Sequence, residues 1–207
     1  MPLSPAERTN AIKHLRSEDR VLRKVIDAVG PFALKLERKR FAMLVRSIIS
    51  QQISTGAARS IRRRLEELVA PAAITDVSIR QLSADELRSV GLSAPKARYL
   101  VDLAQNVSHG YVKLDRIGRL SNEQVIDELT RVKGIGRWTA QMFLIFSLGR
   151  LDVFPHDDLG VRSAIRDLYG FDELPNKEQC LEIAKPWSPY ESVASWYCWR
   201  SIDLNRK

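Results

Sequence analysis

Apolar residues recur along most of the chain at the spacing of an amphipathic helix. In the stretch 37–52 they fall at positions i, i+3, i+4, i+7 and i+8: Phe41, Leu44, Val45, Ile48 and Ile49. One face of a helix with 3.6 residues per turn collects positions at this spacing. Similar patterns predict helices at 18–29, 54–69, 93–108, 137–148, 158–168, 177–184 and 190–203. No stretch alternates apolar and polar residues in the manner of a strand, so the pattern predicts an all-α fold.

Two further helices are marked by polar residues that can cap a first helical turn. Ser83 is followed three residues later by Glu86, and Ser121 is followed at the same distance by Gln124. A serine and an acid or amide at this spacing form a capping box, in which each side chain accepts a backbone N–H of the other residue. The boxes predict a short helix that ends near Gly91 and a second helix that leads toward residue 132.

A stretch between Gly110 and Arg119 lacks the helical pattern and joins two helical halves. A chain of 207 residues is long enough for one large domain or for two small lobes that share a cleft. We therefore expect a single domain, 1–207, with one lobe at about 35–115 and another at about 116–207 that includes the N-terminal segment. The functional cleft is expected between the lobes.

The chain is basic, with 33 Lys and Arg against 25 Asp and Glu and a formal net charge of +8. A surplus of this size favours a polyanionic partner, because binding releases the counterions of the polyanion. The N-terminus lacks the apolar core of a signal peptide, and no apolar run approaches membrane-spanning length. We expect a cytoplasmic protein that does not bind membranes.

Cysteine and histidine usage argues against a metal centre built from these residues. Cys180 and Cys198 do not form a CxxC pair, and the histidines His14, His109 and His156 are scattered along the chain. Zinc sites and iron–sulfur clusters need closely spaced ligands of these types. We expect both cysteines to be reduced.

A glycine turn separates two of the predicted helices. Gly134 and Gly136 allow left-handed backbone angles and leave no Cβ between the backbone and a bound phosphate. The helix that starts near Arg137 would direct free N–H groups and the positive end of its dipole at that phosphate. Lys133 and Arg137 add positive charge, and Thr139 offers a hydroxyl. Taken alone, these residues fit a phosphate grip and an ordinary helix-ending turn.

The wider sequence resembles the helix-hairpin-helix DNA glycosylases, and among them the DNA-3-methyladenine glycosylase II branch. The likeness rests on the string Gly-Ile-Gly-Arg-Trp-Thr-Ala from Gly134 and on Asp-Val-Phe-Pro-x-Asp-Asp from Asp152. The segments 44–54 and 185–190 resemble an earlier and a C-terminal motif of the family, and the likeness covers roughly 20–204. It implies a compact, all-helical member without the N-terminal β domain that some bacterial members carry.

The resemblance identifies Asp158 as the catalytic carboxylate. Rupture of an N-glycosidic bond develops positive charge on the sugar, and a fixed carboxylate stabilises that charge once the nucleotide has been flipped out of the duplex. The neighbouring Asp157 is expected to cap the helix that begins at Leu159. The alternative is that the acidic pair does no more than cap this helix.

The resemblance assigns Trp138 and Trp196 to the pocket that holds the flipped base. Bifunctional members of the superfamily carry at the Trp138 position a lysine whose amine attacks the sugar. The tryptophan therefore implies a monofunctional enzyme that uses water and lacks lyase activity. Aromatic faces suit electron-poor alkylated bases, although both indoles also fit ordinary core positions. Met142 and Leu159 stand where other members often have aromatic residues, which predicts fewer ring contacts to the base.

Gln51 and Gln52 lie at the end of the helix predicted at 37–52. By resemblance both contact DNA, and Gln52 holds the position of a wedge that fills the gap left by the flipped nucleotide. Filling the gap offsets part of the cost of unstacking the base. The alternative is that both are ordinary polar residues at a helix end.

No cofactor is expected to be required for the chemistry. Some members of the family hold a monovalent cation, Na⁺ or K⁺, through main-chain carbonyls of the hairpin. In this chain the corresponding carbonyls are those of Thr130, Val132 and Gly134. Such an ion would organise the phosphate grip rather than take part in the reaction.

The residues and the resemblance together predict a DNA glycosylase that hydrolyses the N-glycosidic bond of alkylated purines, of the 3-methyladenine type, in duplex DNA. One alternative is a glycosylase for neutral lesions such as ethenoadenine, hypoxanthine or uracil. The other is a non-catalytic helix-hairpin-helix module, against which the acidic pair argues because carboxylates repel phosphates. The expected partner is double-stranded DNA with damaged bases, bound by a monomer at the nucleoid of a bacterium or in the nucleus of a eukaryote.

Overall fold

The computed structural model describes residues 4–205, which form helices and turns without a β-strand. The all-α prediction is confirmed. Within the described residues the α-helices are, in chain order, α1 (Pro5–Glu18), α2 (Arg20–Val29), α3 (Arg40–Ser50), α4 (Thr55–Val69), α5 (Asp76–Arg80), α6 (Ala84–Ser89), α7 (Ala94–Ser108), α8 (Asn122–Thr130), α9 (Arg137–Phe143), α10 (Leu159–Tyr169), α11 (Lys177–Ala184) and α12 (Glu191–Asn205).

Both predicted capping boxes are present. The Ser83 hydroxyl accepts the N–H of Glu86 at 3.2 Å, and the Ser121 hydroxyl accepts the N–H of Gln124 at 3.3 Å. Each box is completed by a return bond from the N–H of the serine to the acid or amide side chain. These residues begin α6 and α8 where the sequence predicted them.

Helices α1 and α5 were not predicted. Helix α1 begins with a capping box between Ser4 and Glu7, but it buries only Ala11 and Leu15. Two buried residues in four turns leave a weak hydrophobic stripe, which is why the helical spacing does not stand out. Helix α5 has five residues, fewer than two turns, so it has no room for a repeated pattern.

The contacts divide the chain into two units. One combines the chain up to Leu36 with the chain from Leu144 onward, and the other runs from Glu37 to Phe143. The second boundary falls inside a continuous run of helix, where α9 ends and a π-helical turn follows over Leu144–Leu148. A division inside a helix leaves no change of composition, so the sequence does not reveal it.

The sequence-based lobes of about 35–115 and 116–207 differ from these units. The stretch from Gly110 to Arg119 is not an open linker, because Val112, Leu114 and Ile117 are all buried. The Arg40 guanidinium also donates a hydrogen bond to the Leu114 carbonyl. This segment is therefore anchored within the unit that runs from Glu37 to Phe143.

The unit that contains both chain ends packs α1, α2, α10, α11 and α12 around an apolar core, beside which the carboxylate of Asp19 is buried. Asp19 caps α2, since its Oδ1 accepts the N–H groups of Val21 and Leu22 at 2.8 and 3.0 Å. Its Oδ2 accepts the Trp187 indole N–H at 2.8 Å and the Tyr169 hydroxyl at 2.5 Å. Burial and the nearby carboxylate raise the pKa of the Tyr169 hydroxyl. Four donors thus satisfy this buried charge.

Replacement of Asp19 by alanine is expected to destabilise the fold. It removes a helix cap and leaves the donors of Trp187 and Tyr169 without an acceptor, so the free energy of unfolding should fall by about 3 kcal/mol. The melting temperature should fall by roughly 6–12 °C for a chain of this size, measured by circular dichroism. Asp27→Ala, which removes an exposed ion pair with Arg16, is the control and should cost less than about 0.5 kcal/mol. Equal melting temperatures for the two variants would contradict this account.

Candidate functional site

The turn between α8 and α9 requires glycine for two reasons. Gly134 has a φ of +82°, in the left-handed region, and a Cβ at this position would lie 2.3 Å from Cδ2 of Tyr99. The next N–H, that of Ile135, closes the turn on the Val132 carbonyl at 3.1 Å. At Gly136 an added Cβ would meet no atom within 4 Å. The backbone of the turn is therefore packed on one side and faces open space at Gly136.

The side chains around this turn divide into exposed and buried groups. Lys133 and Arg137 are exposed, and Arg137 forms two hydrogen bonds to the Glu123 carboxylate, at 2.6 and 3.0 Å. The backbone N–H of Lys133 donates to Oδ2 of Asp102 at 2.9 Å. Thr139 is 2% exposed, so its side chain belongs to the interior and not to the surface on which a phosphate would bind.

The loop that follows α3 is tied to the glycine turn. The Gln51 amide donates from Nε2 to the Gly134 carbonyl at 2.8 Å. Lys96 donates from Nζ to the carbonyls of Ile49 and Gln51, at 2.8 and 2.6 Å, and burial lowers the pKa of this lysine. The exposed Gln52 has a φ of 56°, a conformation that costs a residue other than glycine about 1 kcal/mol or more. The loop holds Gln52 in this conformation because Lys96 binds the carbonyls of Ile49 and Gln51, and the Gln51 side chain is bonded to Gly134.

Asp158 is the N-cap of α10 and is only 9% exposed. Its Oδ1 accepts the N–H of Val161 at 2.8 Å and the indole N–H of Trp199 at 2.8 Å. The expectation that Asp157 caps this helix is wrong, since Asp157 is exposed and its Oδ1 lies 2.9 Å from Nδ1 of His156. Capping and a catalytic role do not exclude each other at Asp158, because the cap fixes the orientation of the same carboxylate.

Trp199 is enclosed on two sides. The ring of Phe146, from the π-helical turn, stacks on the indole with the centroids 5.5 Å apart and the planes at 29°. A Cβ at Gly160 would lie 3.0 Å from Cδ1 of Trp199 and 3.1 Å from Oδ1 of Asp158. Contacts this short are rarely tolerated, so glycine at 160 permits the indole to approach the carboxylate.

The two tryptophans assigned to the base pocket differ in exposure. Trp138, at the start of α9, is 41% exposed. Trp196, in α12, is 7% exposed, and the rings of Phe32 and Tyr197 each contact it edge-on with centroids 5.0 Å apart. The guanidinium carbon of Arg200 lies 5.5 Å from the centre of the Trp196 ring. Trp196 is thus largely a core residue that exposes a small part of its surface.

The sequence carries no signal for the contacts of Trp199, Lys96 and Gly160. Trp199 follows Trp196 by three positions on one helix, and helical spacing does not tell which indole reaches a carboxylate 41 residues earlier. Lys96 is one of many lysines, and its two carbonyl partners become visible only in the fold. Gly160 stands in an ordinary first turn of a helix. Their roles depend on tertiary contacts rather than on local pattern.

Neither a metal centre nor a membrane span emerges from residues 4–205. No group of three or more His, Cys, Asp or Glu residues in this range can hold a metal ion. No helix in the same range combines the length and the apolar character that crossing a membrane requires. Cys180 and Cys198 are free thiols, and burial raises the pKa of each.

Comparison with known proteins gives consistent matches over almost the whole chain. A family model for HhH-GPD superfamily base excision DNA repair proteins matches residues 45–189. DNA-3-methyladenine glycosylase 1 of Schizosaccharomyces pombe is 34% identical over 201 residues, which cover 95% of this chain and 88% of that protein. The alkylbase DNA glycosidase-like protein mag2 of the same yeast is 30% identical over 95% of both chains.

Solved structures match equally well. The 3-methyladenine DNA glycosylase of Schizosaccharomyces pombe in complex with abasic DNA has a TM-score of 0.88 and 33% identity, covering 96% of this chain and 98% of that one. A DNA-3-methyladenine glycosidase from Bacillus halodurans has a TM-score of 0.86 and 34% identity, covering 98% and 91%. The resemblance noted in the sequence is confirmed. The hairpin, the loop after α3 and Asp158 all fall within the matched residues, and the chain belongs to the HhH-GPD superfamily of base excision DNA repair proteins.

Proposed function

We propose that this chain is a monofunctional DNA glycosylase that hydrolyses the N-glycosidic bond of alkylated purines, of the 3-methyladenine type, in duplex DNA and so begins base excision repair. The observation that carries the proposal is the Asp158 carboxylate, nearly buried and held by two N–H donors within the family's matched region. Relatives similar over nearly the whole chain bear the name DNA-3-methyladenine glycosylase, which supports this substrate class.

Asp158 supplies negative charge to the reacting sugar. As the bond between C1′ and the base nitrogen breaks, the electron pair leaves with the base and C1′ becomes cationic. A carboxylate that is already oriented stabilises this charge without having to reorganise during the reaction. Water then adds to C1′ and loses a proton, which leaves an abasic sugar. A methylated purine that carries a positive charge departs as a neutral base, so a single carboxylate suffices.

We propose, from the resemblance, that Trp138 and Trp196 each contact the flipped base. Trp138 is 41% exposed, and the π face of an indole attracts an electron-poor alkylated base. Its indole nitrogen cannot form a Schiff base with the sugar, so the enzyme releases the base without cutting the strand. Trp196 contributes only the small part of its ring that is exposed. Leu159 is 64% exposed and offers aliphatic surface in place of a ring, whereas Met142, at 7% exposed, offers almost no surface.

The glycine turn is the proposed grip on the DNA backbone. Gly136 faces open space, and the exposed Lys133 brings positive charge to the same turn. Arg137 would bring its charge to a phosphate by exchanging the Glu123 carboxylate for it. Backbone N–H groups and cations around a helix start are typical phosphate ligands. Gly134 shapes the turn, whereas the burial of Thr139 argues that its hydroxyl supports the interior of the hairpin. We assign phosphate contact to Lys133, Gly134, Gly136 and Arg137, and not to Thr139.

Gln52 is the proposed wedge. It is exposed and held in a left-handed conformation, which projects its side chain from a loop with a fixed backbone. Gln51 positions this loop through its bond to the Gly134 carbonyl and does not need to contact DNA itself. An inserted side chain stabilises the flipped state by filling the vacated space.

The carbonyls of Thr130, Val132 and Gly134 fit a monovalent cation only in part. The Gly134 carbonyl accepts the Gln51 amide, and the Val132 carbonyl accepts the N–H of Ile135. A carbonyl oxygen has two lone pairs and can share them, but the N–H of the Gln51 amide brings its partial positive charge toward one ligand. We propose that Na⁺ or K⁺, if bound, organises the turn, and that the reaction requires no cofactor.

The proposed partner is double-stranded DNA that contains damaged bases. The net charge of +8 supports binding to a polyanion. The protein acts where DNA is found, in a nucleoid or a nucleus. We further propose that it works as a monomer, in the cytoplasm at the nucleoid if its source is bacterial and in the nucleus if its source is eukaryotic.

Replacement of Asp158 by asparagine should abolish base release while the fold and DNA binding are retained. Asparagine keeps a side-chain oxygen that can cap α10, but it lacks the negative charge. We expect the single-turnover rate constant for release of methylpurines from methylated duplex DNA to fall at least about 100-fold. Chromatography of the released bases measures this rate.

The matched control for this variant is Asp157→Asn, which removes the same charge from an exposed neighbour and should leave the rate unchanged. Wild-type protein that releases only ethenoadenine, hypoxanthine or uracil would instead support the neutral-lesion enzyme. Tight binding without release of any base would support the non-catalytic module. Activity of Asp158→Asn near that of wild type would refute the assignment of the carboxylate.

Borohydride treatment should trap no covalent complex between the wild-type protein and DNA during turnover. The reductant captures only a Schiff base, and Trp138 has no amine at the position where bifunctional members carry one. A glycosylase/lyase treated in parallel shows that the trapping conditions work. A borohydride-dependent complex that survives denaturing electrophoresis would overturn the monofunctional assignment.

Lys96→Met should weaken DNA binding by loosening the loop that carries Gln52. The substitution keeps the length of the side chain but leaves the carbonyls of Ile49 and Gln51 without their donor. We expect Kd for duplex DNA with an abasic-site analogue to rise about tenfold, measured by fluorescence anisotropy at constant salt. Lys177→Met removes the same charge from an exposed lysine and should change Kd less than about threefold. Equal losses in both variants would show that charge alone accounts for the effect.

A further inference from the structure

The Asp158 carboxylate has a second partner that its capping role does not explain. A helix cap needs only the bond from the N–H of Val161 to Oδ1. Trp199, from α12, donates its indole N–H to the same oxygen at 2.8 Å. A half-buried tryptophan from a distant helix thus contacts the residue on which the chemistry depends.

The surroundings of Trp199 favour this one orientation of the indole. Phe146 stacks on one face of the ring, and the absence of a side chain at Gly160 leaves room for the edge that carries the N–H. The π-helical turn that carries Phe146 is a rare element, and such turns are often found at functional sites. Three elements of one unit therefore hold a single N–H against a single carboxylate oxygen.

We propose that Trp199 is a positioning residue that fixes the orientation of the Asp158 carboxylate for base release. Two N–H donors from different directions on one oxygen restrict rotation of the carboxyl group, which a cap bond alone does not. The carboxylate is then held at the geometry in which it stabilises the cationic sugar, without rearrangement during the reaction. This inference rests on the proposed function of Asp158.

Trp199→Phe tests the proposal because it keeps a six-membered aromatic ring that can pack against Phe146, while it removes the N–H donor together with the pyrrole part of the indole. We expect the single-turnover rate constant for methylpurine release to fall about tenfold, which corresponds to about 1.4 kcal/mol and to the loss of one hydrogen bond to a charged group. Kd for duplex DNA should stay within about twofold of wild type, because the substitution does not change the charge of the protein.

The matched control is Trp187→Phe, which removes an indole N–H from another buried carboxylate of the same unit, that of Asp19, also at 2.8 Å. This variant should have a lower melting temperature and an unchanged rate constant. Trp199→Phe should instead lower the rate constant and change the melting temperature less than Trp187→Phe does. A rate loss in both variants that follows their melting temperatures would show that Trp199 is merely structural.

The same substitution in the Asp158→Asn background separates positioning from a direct contact with DNA. If Trp199 acts through the carboxylate, its removal there should slow the residual reaction less than about twofold, because interacting residues are not additive. A tenfold loss in both backgrounds would overturn the proposal and indicate that the indole acts on the substrate itself.

Gly160→Ala provides a second, independent variant. The added Cβ would press on both Trp199 and Asp158, while alanine at a helical position favours the fold by lowering the conformational entropy of the unfolded chain. We expect a slower rate without a loss of thermal stability.

If Asp158→Asn is as active as wild type, the proposed function fails. If Asp158→Asn is inactive while Trp199→Phe and Gly160→Ala both keep the wild-type rate, only the present inference fails.

Discussion

A carboxylate assists the departure of a base only when it is held still beside the sugar, and holding it still is a problem of desolvation. A nearly buried charge is unfavourable unless donors replace the water that it has lost. Two N–H donors contact Asp158: a backbone N–H at the start of α10 and the indole N–H of Trp199. The groups that compensate the burial of the charge are the same groups that define its orientation. The same two hydrogen bonds therefore stabilise the buried Asp158 carboxylate and orient it for the reaction.

The glycine turn concentrates several constraints on Gly134. Its backbone angle, its contact with Tyr99 and its carbonyl bond to Gln51 must all hold at once. The last of these links the turn to the loop that carries Gln52, and Lys96 fixes that loop from the other side. The proposed phosphate grip and the proposed wedge therefore belong to one connected structure. A change in the turn at Gly134 would affect the position of Gln52 through the hydrogen bond between Gln51 and the Gly134 carbonyl.

Helices with a strong apolar stripe, such as α3, and helices with a capping box were predicted from the sequence because their signals are local. Helix α1 was missed because it buries only two side chains, and the division after Phe143 was missed because it lies within a run of helix. The family's motif identified the candidate carboxylate, but it did not reveal which of the two aspartates caps α10. That choice, like the bond from Trp199, depends on the direction in which side chains point after the helices have packed. Spacing along the chain carries no information about it.

The aliphatic residues near the proposed pocket bear on the choice of substrate. Leu159 follows Asp158 directly and is 64% exposed, and it brings no ring to stack on a base. Stacking contributes most for a neutral lesion, whose glycosidic bond is strong and whose recognition relies on contacts with the base. A cationic methylpurine already has a weak bond and departs as a neutral molecule, so it needs the fixed charge of Asp158 more than it needs an extensive aromatic pocket. A site with a rigid carboxylate and few rings is for this reason better matched to alkylated purines than to neutral lesions.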